Sequence, residues 1–145
     1  EPVWTATQSL LRLGVKRSTG EALSNTFDST IPLSCQAEFH AAADIGRRYA
    51  RVSGDHNPIH LTALTARLFG FRRAIAHGMW TQARALACLL PSTPPERASL
   101  SVEFKAPLFL PGRATLWSAR HANGVEFEVR DVKGQRPHLH GKFSY

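Results

Sequence analysis

One stretch decides most of what this sequence predicts, and it reads YARVSGDHNPIH over residues 49–60. Asp55 and His60 stand five positions apart in it, on either side of an Asn-Pro step. Inside a helix or a strand the repeat would fix the direction of each side chain, whereas a turn lets two side chains converge on one point. The stretch therefore predicts a helix that ends at Gly54, then a turn that carries an acid/base pair.

Helical spacing is found on both sides of this turn. Ahead of it, apolar residues recur at i, i+4 and i+7, namely Ile45, Tyr49 and Val52. Asp44 stands where an N-cap is expected, and Gly54 stands where a helix can end. After the turn, residues 62–69 predict a short helix with Thr62 as its cap and Gly70 at its end.

A longer helix is predicted from His77 to Leu90, before Pro91. Its apolar positions at helical spacing are Met79, Ala83, Leu86 and Leu90. Gly78 lies in the first turn, where backbone N–H groups have no intrahelical partner and carry the positive end of the helix dipole. Because glycine has no side chain, a ligand can approach closely. Gly78 is therefore a candidate oxyanion-binding N–H.

Strand patterns flank the helical region. Alternation of apolar and polar residues predicts one strand around residues 33–39, and the C-terminal third predicts a meander of about four strands. Its turn signals are Pro111-Gly112, Asn123-Gly124 and Lys133-Gly134. This order predicts an α+β arrangement in which one long helix lies on an antiparallel sheet.

Length and composition favour one globular domain, because 145 residues with 43% hydrophobic content suffice for one core and not for two. We expect an N-terminal strand, Val3 to Leu13, and a linker within residues 1–31, and a single domain over residues 32–145. Cys35 and Cys88 stand in apolar contexts, which predicts buried free thiols in a reducing compartment.

Several classes of protein are disfavoured. The formal net charge is +7, but no run of Lys and Arg exceeds two residues, so no nucleic-acid-binding stripe is expected. The longest apolar stretch, residues 85–90, is far too short to cross a bilayer, and no signal peptide is evident, so we expect a cytoplasmic protein without membrane contact. No metal-binding spacing such as H-E-x-x-H is found, and no metal is expected.

These motifs together resemble the MaoC-like, (R)-specific enoyl-CoA hydratase family of hotdog-fold proteins. The motifs are residues 49–60, Phe69-Gly70-Phe71, Ala76-His77-Gly78-Met79, residues 102–107 and Pro111-Gly112. The resemblance is close over residues 44–80 and covers roughly residues 32–145. It implies a hotdog fold, with the hydratase motif on the helix-turn-helix segment before the central helix. Val3 to Arg12 resembles the strand that closes the first unit of tandem relatives, so this chain could be the C-terminal half of a double-hotdog protein.

The resemblance implies hydration of a trans-2-enoyl thioester to the (R)-3-hydroxyacyl thioester, or the reverse dehydration. Asp55 and His60 would hold one water, Gly78 N–H would meet the thioester oxygen, and Asn57 would orient the turn. Which member of the pair is the base stays open, because coupled groups titrate together. Further candidate substrate contacts are Ser53, Met79, Arg72 and Arg73, the arginines facing phosphates of coenzyme A or an acyl-carrier pantetheine. No cofactor beyond that part of the substrate is implied, and the expected assembly is a homodimer or a pseudo-dimer with a second hotdog unit.

Simpler interpretations stand beside these. Asp55 and Asn57 are also common turn and capping residues, and His60 could be a buried structural histidine. His77 differs, because it precedes the helix and a structural role is favoured for it. Gly78 could serve only close packing. A hotdog acyl-thioesterase and a non-catalytic, acyl-chain-binding subunit of a heterodimeric dehydratase are the alternative functions. Relatives can carry Ser where this chain has Leu86, so one hydrogen bond of those relatives is absent here.

Overall fold

The computed structural model describes residues 3–9, 32–93 and 95–145. Within these described ranges, four helices and five strands follow one another. In order they are β1 (Ser34–Ala41), α1 (Ile45–Ser53), α2 (Pro58–Leu61), α3 (Ala63–Leu68), α4 (Gly78–Leu89), β2 (Ser99–Phe104), β3 (Gly112–His121), β4 (Gly124–Asp131) and β5 (Pro137–Ser144). The predicted α+β class is confirmed, and α2 is a short helix that the sequence pattern did not predict.

The strands form one antiparallel sheet in the order β1-β3-β4-β5-β2. Strands β3, β4 and β5 form the predicted meander, but β2 pairs with β5 at the far edge, so the expected four-strand meander is wrong for β2. The reason lies in the connection from β2 to β3. Leu110 N donates to Ala74 O and Ala76 N donates to Leu108 O, both at 2.8 Å, so this connection pairs with the segment before α4.

Apolar side chains on one face of the sheet form the core with α4. The largest fully buried side chains are Phe127, Leu116, Leu139, Val125 and Val129. From α4 the core receives Ala85 and Leu89, while Leu86 packs against its margin. The predicted buried face of α4 was therefore partly wrong, because Met79, which was assigned to it, is 53% exposed. The buried face is turned toward Ala85 and Leu89. Helix α4 is apolar on most sides, so spacing alone could not choose between two overlapping sets of residues.

Helix α1 has the predicted cap positions but a different buried face. Its N-cap is Asp44 and its C-cap is Gly54, which adopts φ 76°. Gly46 and Ala50 are buried, whereas Val52 is 85% exposed. Small residues thus face the rest of the protein, which allows α1 to lie very close to α2.

The remaining expectations have mixed outcomes. Cys35 and Cys88 are free but exposed, so the prediction of burial was wrong. Cys35 lies beyond a bulge in β1, and Cys88 on the outward side of α4.

Residues 3–9 are exposed and form no strand, because they pair with no part of the sheet, and residues 10–31 lie outside the described residues. In the part of the chain that the structure describes, no helix is long and apolar enough to cross a membrane.

Candidate active site

The turn between α1 and α2 is fixed by hydrogen bonds within the motif. Ser53 Oγ accepts from Asp55 N at 3.2 Å and donates to Tyr49 O at 3.0 Å. The hydroxyl hydrogen of Ser53 is therefore already in use and supports the turn. Asn57 N donates to Asp55 Oδ1 at 3.1 Å. One carboxylate oxygen of Asp55 is thereby held, and the other, Oδ2, faces the site.

Asn57 links this turn to α2. Its side-chain oxygen accepts from Ile59 N at 3.3 Å, which caps the helix, and Pro58 occupies the first helical position. His60 N donates to Asn57 O at 3.0 Å. Asn57 thus bonds both to Asp55 and to the short helix that carries His60, and its orienting role in a reaction stays a prediction.

His60 is buried, with 8% of its surface exposed, and its tautomer follows from its partner. Its Nδ1 lies 2.9 Å from Ile75 O. Because a carbonyl oxygen only accepts, Nδ1 carries the hydrogen and Nε2 has a free lone pair. His60 Nε2 lies 4.0 Å from Asp55 Oδ2. This gap is too long for a direct hydrogen bond and suits one bridging water, since each bond would span roughly 2.7–3.2 Å.

The environment of His60 keeps its imidazole neutral. Burial lowers the pKa of His60 below its ordinary value of 6.5, and the nearby His77 acts in the same direction. The Ile75 carbonyl and the Asp55 carboxylate oppose this lowering but do not overcome it. A neutral imidazole with a free Nε2 lone pair is able to take a proton near neutral pH.

This lowered pKa predicts the acid limb of the pH profile. As the pH falls, His60 takes up a proton and loses the lone pair, so proton abstraction by His60 slows. Because the pKa of His60 lies below 6.5, we expect the acid limb of kcat/KM, for a reaction that uses His60 as the base, to have its midpoint below pH 6.5. Initial rates in buffers of constant ionic strength would measure this. An acid limb centred above 6.5 would contradict a buried, neutral His60.

Helix α1 packs directly against the backbone of His60, a contact that the sequence patterns did not predict. A Cβ atom at Gly46 would lie 1.9 Å from His60 O, so only glycine fits there. Arg47 Nη1 donates to Leu61 O at 3.0 Å and ties α1 to the end of α2. The available sequence signal was a glycine inside a predicted helix, which often marks close packing.

His77 also belongs to this cluster. It is 3% exposed, and its ring stacks on His60 with centroids 3.7 Å apart and an interplanar angle of 25°. Its Nε2 lies 2.9 Å from Asp55 O and 3.7 Å from Asp55 Oδ2. Its place before the helix favoured a structural role, and only the folded chain brings its ring to Asp55 and His60.

Gly78 is the first residue of α4 and follows His77 directly. Within the described parts of the chain its N–H has no hydrogen-bond partner. A Cβ atom at this position would lie 2.8 Å from the ring of Phe104. Both sequence interpretations are thus compatible with the structure, since Gly78 offers a free N–H and also allows close packing by Phe104.

The other predicted contacts lie outside this hydrogen-bonded cluster. Met79 is the second residue of α4 and is half exposed. Arg72 and Arg73 are exposed and lie over the ring of Phe109, at 4.6 Å and 5.6 Å from its centroid. Arg73 Nη1 also donates to Pro111 O at 3.3 Å. Arg72 is therefore the freer of the two cations.

The three titratable side chains could be mistaken for a metal site. Each of them offers one ligand atom, and the three atoms, from Asp55, His60 and His77, lie within 4.8 Å of one another. A histidine binds a metal through a ring lone pair that lies in the plane of its ring. Two rings stacked at 25° cannot both aim a lone pair at one ion, and His77 Nε2 carries the hydrogen that it donates to Asp55 O. The stacked rings therefore favour acid/base chemistry over metal binding at this cluster.

Comparison with known proteins defines the class. The family model described as MaoC like domain matches residues 22–139, so this chain belongs to that family. It is 44% identical over 93 residues to 3-hydroxyacyl-thioester dehydratase X of Mycobacterium tuberculosis. The matched region covers 64% of this chain and 33% of the relative.

Solved structures agree with this assignment. The crystal structure of HtdX of M. tuberculosis superposes with a TM-score of 0.67 at 37% identity, over 75% of this chain and 46% of that one. The (R)-hydratase PhaJ1 of Pseudomonas aeruginosa superposes with a TM-score of 0.60 at 24% identity, over 74% of this chain and 76% of that one, and supports the fold alone. The expected hotdog fold is thus confirmed. The chain spans about one third of the curated relative and about half of the HtdX crystal chain.

Proposed function

We propose that this chain catalyses hydration of trans-2-enoyl thioesters to (R)-3-hydroxyacyl thioesters, or the reverse dehydration. The observation that carries the proposal is the 4.0 Å gap between Asp55 Oδ2 and the unprotonated Nε2 of His60, which suits one bridging water. The similarity to 3-hydroxyacyl-thioester dehydratase X supports the same substrate class.

The geometry supports a sequence of steps for hydration. His60 Nε2 takes one proton from the bridging water while Asp55 Oδ2 orients it and stabilises the imidazolium that forms. The water oxygen bonds to Cβ of the substrate, and the alkene electron pair moves onto the thioester oxygen. In this proposal Gly78 N–H, at the positive end of α4, stabilises that negative charge. The imidazolium then returns the proton to Cα on the same face, which completes addition of one water.

The first experiment is turnover of crotonyl-CoA by the purified chain, followed by the loss of enoyl-thioester absorbance. The chirality of the product is then determined. Formation of the (R)-3-hydroxy product supports the proposal. Release of free coenzyme A without hydration would favour the thioesterase, and no turnover with any enoyl thioester, carrier-bound ones included, would favour the non-catalytic subunit.

Arg72 is proposed to contact the phosphates of coenzyme A or of a carrier pantetheine. It is an exposed cation steadied by the Phe109 ring. We expect Arg72→Ala to raise KM for crotonyl-CoA about tenfold with kcat almost unchanged, because such contacts bind substrate and transition state alike.

A phosphate-free substrate controls this experiment. With crotonyl-pantetheine, the wild-type and Arg72→Ala proteins should have equal KM. If the substitution raised KM for both substrates to the same extent, Arg72 would act on the site in another way.

We also propose that the chain works as a pair of hotdog units, either two copies or this chain and a second unit. Strand β2 lies at the sheet edge and, among the described residues, pairs only with β5. Its Phe104 is 51% exposed, beside the start of α4. Unpaired edges and exposed apolar residues favour association. Light scattering should give the mass of two chains if the pair is two copies. A single chain without activity would favour a separate second unit, and an active protein with the mass of one chain would contradict the proposal.

A further inference from the structure

His77 lies where two separate parts of the proposed site meet. Asp55 and His60 come from the turn and α2, whereas Gly78 begins α4 and follows His77 directly. We propose that His77 is a positioning residue that holds Asp55 and His60 in register with the Gly78 N–H. This inference rests on the proposed function and assigns to His77 no contact with the reacting atoms.

The first link is a hydrogen bond across the site. His77 Nε2–H donates to Asp55 O at 2.9 Å, because that carbonyl can only accept. The same nitrogen lies 3.7 Å from Asp55 Oδ2. Asn57 N holds only the Oδ1 side of the carboxylate, so His77 supplies the link between the Asp55 main chain and α4.

The second link is the stacked pair of imidazoles. The His77 ring lies 3.7 Å from the His60 ring and covers one of its faces. It excludes water from that face and thereby contributes to the burial that keeps His60 neutral. Among the described residues, the titratable side chains that face His60 and His77 are Asp55 and Tyr49. The Tyr49 ring lies 5.0 Å from the His77 ring.

A purely space-filling role does not explain this ring. His77 Nδ1 is buried and has no hydrogen-bond partner among the described residues. Leaving a buried ring nitrogen unpaired is unfavourable, and a phenyl ring would fill the same space without it. What a phenyl ring cannot supply is the donor to Asp55 O.

Two variants separate the donor from the ring. His77→Gln can still donate to Asp55 O but exposes a face of His60, whereas His77→Phe keeps the stacked ring and removes the donor. Titration of the His60 ring protons by NMR, without substrate, measures the first effect. We expect the His60 midpoint to rise toward 6.5 in His77→Gln, and to rise less in His77→Phe, which keeps the burial of His60 and loses only the smaller electrostatic effect of His77.

Steady-state kinetics measure the second effect. We expect His77→Phe to lower kcat for enoyl-thioester hydration by about ten- to a hundred-fold with little change in KM, because Asp55 loses its link to α4. The matched control is His56→Gln. His56 belongs to the same turn but is exposed, and among the described residues its ring bonds only to Gly54 O, so both readouts should stay at wild-type values.

Unchanged His60 midpoints together with unchanged kcat in both variants would overturn the inference. If His77→Phe does not fold, as judged by circular dichroism, the His77→Gln titration decides alone, and an unshifted midpoint overturns the inference. Because the titration needs no substrate, it stays informative if the wild-type protein hydrates no enoyl thioester. That result would refute the proposed function separately.

Discussion

Asp55→Asn is expected to lower kcat for enoyl-thioester hydration by ~10²- to 10⁴-fold, the span of a positioned acid/base group. The substitution is nearly isosteric. The amide oxygen can still accept from Asn57 N, so the turn is preserved while the charge that faces His60 is lost. His60→Ala should reduce kcat to a similar extent, because it removes the Nε2 lone pair. Stopped assays of product against time would measure both.

The double variant provides a sharper test of the same idea. If Asp55 and His60 share one water, the two substitutions remove one function, and the double variant should be little slower than the slower single variant. Asp131→Asn is the matched control, since Asp131 also accepts turn N–H groups, from Gln135 and Arg136, but in the β4–β5 turn. Retention of most activity by Asp55→Asn on a verified substrate would refute the mechanism.

Local signals in the sequence predicted the helix ends well. Gly54 ends α1 with φ 76°, and Thr62 caps α3 through a bond from Thr65 N at 3.1 Å. The hairpin at 123–124 is also present, although the turn residues are Ala122 and Asn123 and Gly124 begins β4. Such features depend on a few neighbouring residues, so they can be inferred without the tertiary structure.

Features that depend on distant contacts could not be inferred in this way. The buried face of α4 depends on where the sheet lies, and the position of β2 depends on pairing between residues 74–76 and 108–110. The sequence placed Asp55, Asn57 and His60 on one turn, and the structure brings them together. It could not show that Ile75 O fixes the tautomer of His60, because that bond joins residues 15 positions apart.

Gly46 shows how strongly the site depends on such a contact. Gly46 carries no side chain of its own, yet a Cβ atom there would lie 1.9 Å from His60 O. The methyl group of Gly46→Ala must push α1 and α2 apart by about an ångström, since the contact involves backbone and not a flexible side chain. The Arg47 bond to Leu61 O at 3.0 Å resists that separation.

We therefore expect Gly46→Ala to lower kcat by about a hundred-fold, because a displacement of about an ångström in a catalytic group has effects of that size. It should also destabilise the fold by about 1–3 kcal/mol, as overpacking does. The rate is measured per folded molecule, with urea denaturation giving the folded fraction.

Gly124→Ala separates displacement of His60 from general destabilisation. A Cβ atom at Gly124 would lie 2.2 Å from Phe143 O, a similar backbone clash, and its φ of 149° adds strain. Gly124 pairs with the last residue of β3, His121. The segment 74–76, which bonds to His60 through Ile75 O, instead pairs with residues 108–110, just before β3 begins. We expect Gly124→Ala to lose stability but to keep its kcat per folded molecule. Equal losses of kcat in both variants would mean that the close contact between α1 and α2 has no special role in placing His60.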